Sequence, residues 1–218
     1  DVHMSRGLGD VYKRQESVAS QSVKVITVGN PCNTNALITC ANAPSIPSRQ
    51  FTAMTRLDQN RAVGQIAEKA GVTPSDIRDV FIWGNHANTM YPDPRFATVK
   101  GVPLTDLVDG NWLQGQFIDT VSNRGKAIIL ARGASSEASA ASAAIDHMRD
   151  WWQGSNGRIV SMAIPSEGWY GVPKGIVFSF PCRCENGDII VVEDLPVDSF
   201  ARSKIDENIA VLLEERDA

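Results

Sequence analysis

The sequence lacks the long apolar run that a membrane-spanning helix requires. Crossing a bilayer takes about 20 predominantly apolar residues, and no stretch of the 218-residue chain approaches that length. The charged-then-apolar pattern of a secretory leader is also missing from the first residues. We therefore expect no membrane among the partners of this protein.

An excess of positive charge is absent as well. Lys and Arg number 21 against 25 Asp and Glu, which gives a net charge of −4 at pH 7. Binding to a phosphate backbone depends on a basic surface, so the charge balance argues against nucleic acid as a partner. The hydrophobic fraction of 43% is that of an ordinary globular protein.

Cysteine is scarce and badly spaced for a metal. The four cysteines are Cys32, Cys40, Cys182 and Cys184. Structural zinc sites use two close pairs, each usually separated by about two to four residues, and only the last two cysteines lie near each other. We predict no metal site, and free, reduced thiols of the kind found in intracellular proteins.

The sequence does contain the strand and helix signals of an α/β protein. Residues 23–28 form a β-branched run typical of a strand buried on both faces. A turn leads from there into a helical segment over residues 33–43, and residues 51–57 are predicted as the next strand. Because no strand with a G-x-G-x-x-G turn precedes this unit, the pattern predicts the C-terminal portion of a longer polypeptide.

Later elements follow from periodicity and turn residues. A helix that passes through Arg61 is predicted to end at Gly71, and an Asn-Gly turn predicts a hairpin of residues 176–180 with 188–192. Asp198 is a candidate cap for the final helix. A long helix is predicted to carry one apolar face, which consists of Ala138, Ala141, Ile145, Met148 and Trp152.

Three polar segments follow predicted strands, at the sheet edge where open α/β sheets bind ligands. They contain Asn30, the pair Asp58 and Arg61, and His86. An arginine at a helix N-terminus is suited to a carboxylate, while a histidine beside an aspartate is suited to proton transfer near neutral pH. Together these types predict a site for an anionic substrate that gains or loses a proton on oxygen.

Each residue also has an ordinary structural explanation. Asp58 is a possible helix N-cap, Arg61 a possible solvated helix charge and His86 a possible turn residue. Ser135 also fits a simple helix cap. His147 lies beside Asp146 on a predicted helix and is expected to be solvated. The combination of segments carries the functional hypothesis, since no single residue does.

That combination resembles a known family. The strings VGNPCNTN (28–35), TRLDQNRA (55–62) and IWGNHANTMYPD (82–93) are similar to those of NAD-dependent malate dehydrogenases of the cytosolic type, within the lactate/malate dehydrogenase superfamily. The strings RGASSEASAASAAIDHMRDWW and YGVPKGIVFSFP extend the similarity, in the family's order. The resemblance implies NAD as cofactor, malate and oxaloacetate as substrates, a homodimer for the complete enzyme and a cytoplasmic location.

The resemblance also implies a role for each candidate residue. His86 would exchange a proton with the substrate hydroxyl, and Asp58 would hold the His86 imidazole. Arg61 would bind the C1 carboxylate, and Asn30 the reacting oxygen. Val28, Gly29 and Asn30 would line the nicotinamide, and Ser135 would face both nicotinamide and substrate. The remaining binding elements of the family, among them the glycine-rich turn and the arginines for the distal carboxylate, match nothing in these 218 residues.

The expected fold is a remnant of a Rossmann-type parallel sheet followed by the α+β C-terminal catalytic domain of that family. We assign residues 1–15 to a leader foreign to the family, 16–57 to the end of the NAD-binding domain and 58–218 to the catalytic domain. Two alternatives stay open at this point. One is a lactate dehydrogenase, and the other is a non-catalytic fragment that serves only in oligomerisation or binding.

Overall fold

The computed structural model describes residues 13–14 and 16–218. The predicted leader, residues 1–15, therefore lies outside the described residues except at positions 13 and 14. The helices are α1 (Cys32–Ala41), α2 (Arg56–Ala70), α3 (Gly110–Gln114), α4 (Gln116–Arg132), α5 (Glu137–Gln153) and α6 (Ser199–Asp217). The strands are β1 (Val25–Thr27), β2 (Phe51–Ala53), β3 (Ile77–Arg78), β4 (Phe81–Trp83), β5 (Tyr91–Asp93), β6 (Thr98–Val99), β7 (Val102–Pro103), β8 (Val160–Pro165), β9 (Val177–Glu185) and β10 (Asp188–Val191).

The main sheet has the order β1-β2-β8-β9-β10. Strands β1 and β2 are parallel, with Ile26 opposite Thr52, and α1 makes the crossover between them. The other pairs are antiparallel. The sheet thus joins a short parallel βαβ unit to an antiparallel meander, which confirms the α/β class.

Two predicted strands are longer than the observed ones. β1 covers only Val25–Thr27, and its side chains are half-buried instead of buried on both faces. The reason is its place at the edge of the sheet, with β2 as its only neighbour among the described residues. The predicted strand at 51–57 ends at Ala53 because α2 begins at Arg56.

Two small sheets flank the main one. β4 pairs with β5, which places Trp83 opposite Tyr91, and β3, β6 and β7 form a three-stranded sheet. Gly84 follows β4 directly and exchanges two backbone hydrogen bonds with Ser179 of β9. These bonds tie the end of β4 to the main sheet.

The helical layer is built around α2, which packs against both α4 and α5. Gly71 ends α2 in the left-handed conformation, with φ of 67°. The predicted turn is confirmed, with Asn186 and Gly187 both at positive φ. The residues of β9 that pair with β10 are 182–185 and not the predicted 176–180, because the first part of β9 pairs with β8. Asp198 caps α6 by accepting a hydrogen bond from the Ala201 N–H at 2.8 Å.

The apolar face predicted for α5 is not the face that packs inward. Ile145 and Trp152 are 60% and 69% exposed. The face that packs inward carries Ala143, His147, Asp150 and Trp151. Two of these polar side chains have buried partners: Thr52 bonds to Nε2 of His147, and Arg56 pairs with Asp150. Nδ1 of His147 has no hydrogen-bond partner among the described residues.

One aromatic-rich core fills the space between the sheets and helices. Its largest fully buried side chains include Trp83, Phe81, Phe117, Phe178 and Phe180. Over residues 13–14 and 16–218 no helix is both long and apolar enough to cross a membrane. The same residues contain no cluster of three or more His, Cys, Asp or Glu that is able to hold a metal ion.

Candidate active site

Asp58, Arg61 and His86 meet at the start of α2. Asp58 is in the first turn of this helix, and Arg61 is one turn further on, so both side chains lie on the same face. His86 comes from the loop that follows β4. Asp58 is completely buried, while the side chains of Arg61 and His86 keep 13% and 16% of their surface exposed.

The Asp58 carboxylate uses both oxygens. Its Oδ2 forms a hydrogen bond with Nδ1 of His86, and its Oδ1 accepts from Nη1 of Arg61 at 3.4 Å. Asp58 does not cap α2, whose N-cap position is Thr55. The ordinary explanation of Asp58 as a helix cap is therefore excluded.

The environment of His86 favours its charged form. Burial lowers the pKa of the imidazole, but the negative charge of Asp58 and the hydrogen bond to it outweigh burial, so the pKa of His86 is raised. Because Nδ1 is engaged with Asp58, Nε2 is the ring nitrogen left for an outside ligand. The pair has the arrangement of a general base with a carboxylate that orients it.

Arg61 is held with part of its guanidinium unsatisfied. Burial lowers its pKa, Asp58 opposes that effect and the nearby charge of Arg124 adds to it. Nη2 donates to the hydroxyl of Ser136 at 3.3 Å, whereas the buried Nε has no hydrogen-bond partner among the described residues. A buried arginine with a free donor is suited to binding an anion.

A polar cleft opens beside Arg61. It has a volume of about 660 Å³, and its lining includes Arg61, Arg124, Asn60, Ser139 and Ser142. Gly125 of α4 is next to the guanidinium, since a β-carbon there would lie 3.5 Å from Nη1 of Arg61. The α4 backbone therefore lies close against the guanidinium.

The predicted cofactor segment follows the carboxyl end of β1. Val28, Gly29 and Asn30 are all exposed there. The Gly29 carbonyl accepts from the Asn35 side chain at 3.0 Å, and a β-carbon at Gly29 would meet nothing within 4 Å. The peptide bond that follows Asn30 is cis. The segment thus presents open backbone at the sheet edge where ligands of α/β proteins bind.

The structure separates the two neighbouring serines. Ser135 is exposed, and its predicted contact with nicotinamide and substrate stays a prediction. Ser136, at the N-cap position of α5, uses its hydroxyl to contact Arg61 instead of capping the helix. Sequence reasoning missed this contact because a serine before a helix is indistinguishable from an ordinary cap.

His147 does not fit its prediction as a solvated residue. It is fully buried, and its Nε2 lies 3.0 Å from the Thr52 hydroxyl. Burial, with a smaller contribution from the charge of Arg56, lowers the pKa of His147 to about 3. The adjacent Asp146 suggested a solvated helix face, but this histidine points the other way, into the seam between α5 and β2.

Comparisons with known proteins point to one family. Residues 55–218 match the family described as lactate/malate dehydrogenase, alpha/beta C-terminal domain. A malate dehydrogenase from Naegleria fowleri is 47% identical with a TM-score of 0.89, over 96% of this chain and 66% of that one. A lactate dehydrogenase from Trichomonas vaginalis, solved with NADH and oxamate, is 36% identical with a TM-score of 0.90, over 96% of this chain and 67% of that one.

The chain thus spans about two thirds of the length of these solved relatives. A malate dehydrogenase from Aeropyrum pernix, at 22% identity and a TM-score of 0.85, shares the fold. The family match covers most of the chain, and it includes Asp58, Arg61 and His86. The chain therefore belongs to the lactate/malate dehydrogenase family.

Proposed function

We propose that this chain carries the substrate site of an NAD-dependent malate dehydrogenase, which interconverts malate and oxaloacetate. The observation that carries the proposal is the shared Asp58 carboxylate. One of its oxygens bonds to His86 and the other to Arg61. This contact puts a proton-accepting imidazole next to an anion-binding guanidinium, which is what a 2-hydroxy acid requires.

The proton chemistry belongs to His86 and Asp58. In malate oxidation, Nε2 of His86 takes the hydroxyl proton, while Asp58 keeps the Nδ1 proton in place and stabilises the imidazolium. In oxaloacetate reduction the same nitrogen returns the proton. General acid–base catalysis of this kind contributes about 10²–10⁴-fold in rate.

Substrate orientation belongs to Arg61, Asn30 and Ser135. Arg61 binds the C1 carboxylate through its guanidinium, because its side chain lines the polar cleft and keeps part of its surface exposed. Asn30 bonds the reacting oxygen, and Ser135 faces the substrate from the start of α5.

Val28, Gly29 and Asn30 fit the nicotinamide end of NAD, because they are exposed at the carboxyl end of β1 and leave room around Gly29. When bound, NAD supplies the hydride acceptor for malate oxidation. The Trichomonas vaginalis relative was solved in complex with NADH, which supports a nicotinamide cofactor here.

Sequence favours malate over lactate as the substrate. The GNH string that ends at His86 and the YGVP string at residues 170–173 resemble the cytosolic malate dehydrogenases. The identity is also higher to the Naegleria fowleri malate dehydrogenase than to the Trichomonas vaginalis lactate dehydrogenase. The same resemblance is the ground for proposing a cytoplasmic enzyme.

A homodimer is the proposed assembly. The apolar face of α5, which comprises Ala138, Ala141, Ile145, Met148 and Trp152, is left largely exposed by the other described residues. Large apolar side chains grouped on one helix face indicate a protein–protein contact. A second copy of the chain, seated on this face, would bury it.

The test compares malate with lactate on the purified chain. With NAD present, turnover is followed by the absorbance of the reduced nicotinamide, and binding is followed in parallel by the NMR signals of the His86 imidazole. We expect malate, which has a second carboxylate, to shift the His86 signals at lower concentration than lactate, because the cleft beside Arg61 also contains the positive charge of Arg124. We expect Arg61→Lys to weaken the malate effect strongly because a point charge replaces a fork.

A tighter response to lactate would contradict the malate assignment. Malate binding that leaves the His86 signals in place would contradict the site itself. Lys69→Gln, on the exposed side of α2, provides the control variant, since it changes charge on the same helix outside the cleft beside Arg61.

A further inference from the structure

Asn33 is a buried amide that bonds only to backbone groups. It lies in the first turn of α1 and has no exposed surface. Its Oδ1 accepts from the His86 N–H at 3.1 Å, and its Nδ2 donates to the carbonyls of Gly84 at 3.1 Å and Val177 at 2.9 Å. Both donors and the acceptor of the amide are therefore used.

These bonds act on the backbone that carries the imidazole. Gly84 and His86 flank the first turn of the loop after β4, and Asn33 holds that turn from both ends. Val177 is the first residue of β9, so the same amide ties the loop to the main sheet. Gly84 itself has φ of 93°, a conformation that glycine adopts readily and other residues rarely do.

The partner of the imidazole comes from a different element. Asp58 is fixed by α2, whereas His86 is on a loop with no repeating backbone hydrogen bonds of its own. The meeting of Nδ1 with the Asp58 carboxylate therefore depends on what holds the loop. Asn208 of α6 also holds this turn, since its Oδ1 accepts from the Asn85 N–H at 2.9 Å.

We propose that Asn33 is a positioning residue for His86, whose side-chain amide fixes residues 84–86 so that the imidazole meets Asp58. The inference rests on the proposed function for the role of His86 as the proton acceptor. It deepens that function by linking two parts of the site. Asn33 follows Asn30 by three residues, so one turn of chain both presents Asn30 to the substrate and holds His86.

The experiment uses NMR of the whole chain with Asn33→Leu, which keeps the approximate shape of the side chain and removes all three hydrogen bonds. The readouts are the downfield Nδ1 proton of His86, which reports its bond to Asp58, and the pKa of the imidazole. We expect the downfield proton to be lost, and the pKa of His86 to fall from its raised position toward the ordinary value of 6.5.

The matched control is Thr52→Val. Thr52 is also fully buried, and its hydroxyl bonds to the Val25 carbonyl at 3.2 Å and to His147 at 3.0 Å, away from the His86 loop. It therefore removes buried hydrogen bonds from another part of the fold. We expect the control to be destabilised but to keep both His86 signals.

A folded Asn33→Leu variant with both His86 signals unchanged would overturn the proposal. Where that variant does not fold, amide exchange in the unchanged chain decides. A protected His86 N–H supports the bond to Asn33, and exchange at the rate of a free loop overturns it. These readouts need no turnover. A chain that fails to bind malate would therefore contradict the proposed function, while the NMR and exchange measurements would still decide whether Asn33 positions His86.

Discussion

At the residue scale, the site depends on one buried carboxylate. Asp58 has no exposed surface, and a carboxylate in such a place is stabilised only by partners that offset its lost hydration. His86 and Arg61 are those partners, one on each oxygen. The contacts that offset the cost of burying Asp58 also raise the pKa of His86 and orient Arg61.

The first prediction removes this charge. Asp58→Asn keeps the size of the side chain but takes away the negative charge that holds the proton on His86. Burial then acts almost unopposed, and we expect the pKa of His86 to fall from its raised position to below its ordinary value. An NMR titration of the imidazole measures it.

Asp146→Asn is the control for that titration, because Asp146 pairs with Arg149 on the outer part of α5 and not with His86. Its imidazole titration should match that of the unchanged chain. A pKa of His86 that stays raised in Asp58→Asn would show that another group supplies the effect.

The second prediction concerns His147 and acid stability. The pKa of this buried imidazole is lowered to about 3, against 6.5 in the unfolded chain. Between these values the unfolded chain binds a proton that the folded chain does not. The free energy of unfolding therefore decreases as the pH falls from 6.5 toward 3, by up to about 1.4 kcal/mol per pH unit from this group.

His147→Gln tests that slope, since Gln does not titrate and retains a hydrogen-bonding group near Thr52. Urea unfolding at several pH values should give a shallower acid dependence for the variant, by about one proton between pH 6 and 4. Near pH 8, where the imidazole is neutral in both the folded and the unfolded chain, the difference in the free energy of unfolding between the two proteins should no longer change with pH. Parallel curves over the whole acid range would contradict the assignment.

At the element scale, the sequence predicts whether a segment is a helix, a strand or a turn better than it predicts which of its faces is buried. The turn at Asn186 and the cap at Asp198 were predictable because local backbone geometry decides them. The buried face of α5 was not predictable. Alanines make several of its faces apolar, and the period of the pattern does not say which of them packs against the rest of the chain. The predicted burial of β1 on both faces was wrong for the same reason, since burial depends on the place of the strand in the sheet.

The candidate site shows the same division. The residue types of Asp58, Arg61 and His86 predict their chemistry, and the helix spacing puts Asp58 and Arg61 on one face. Nothing local predicts Asn33, because its three partners come from β9 and from the loop after β4, which are distant in sequence. Long-range hydrogen bonds of this kind have no periodic signature.

The third prediction tests how tightly the elements around the His86 loop fit. A β-carbon at Gly84 would lie 2.2 Å from Cγ of Asn208, and the φ of 93° is also unfavourable for alanine. We expect Gly84→Ala to lower the free energy of unfolding by about 2 kcal/mol or more. Urea unfolding with a shared m value measures it.

Gly64→Ala is the matched control within α2. A β-carbon there meets nothing within 4 Å, and alanine favours the helix by about 0.5–1 kcal/mol. The two identical substitutions should therefore act in opposite directions. Equal losses of stability would show that the contact between Gly84 and Asn208 does not govern the loop.

At the scale of the whole molecule, the inner face of α5 packs against the rest of the chain, whereas its outer face is largely exposed. The inner face carries His147 and Asp150, whose partners are Thr52 and Arg56. The outer face, which is the apolar face that runs from Ala138 to Trp152, is largely exposed. The start of α5 also reaches the site, because Ser136 contacts Arg61. A partner on the outer face would therefore sit close to the substrate site.

The last prediction is that Ile145→Glu prevents the proposed dimer. Ile145 is 60% exposed in the middle of the outer face, and burying a charge there against a second copy is costly. We expect the unchanged chain to sediment as a dimer, and the variant to weaken association by at least about tenfold, which corresponds to about 1.4 kcal/mol. Ile190→Glu is the control, since Ile190 is similarly exposed, at 49%, but lies on β10 and not on α5. Sedimentation over a range of concentrations distinguishes the outcomes. A chain that stays monomeric at every concentration, or an Ile145→Glu variant that associates as well as the control, would contradict α5 as the contact face.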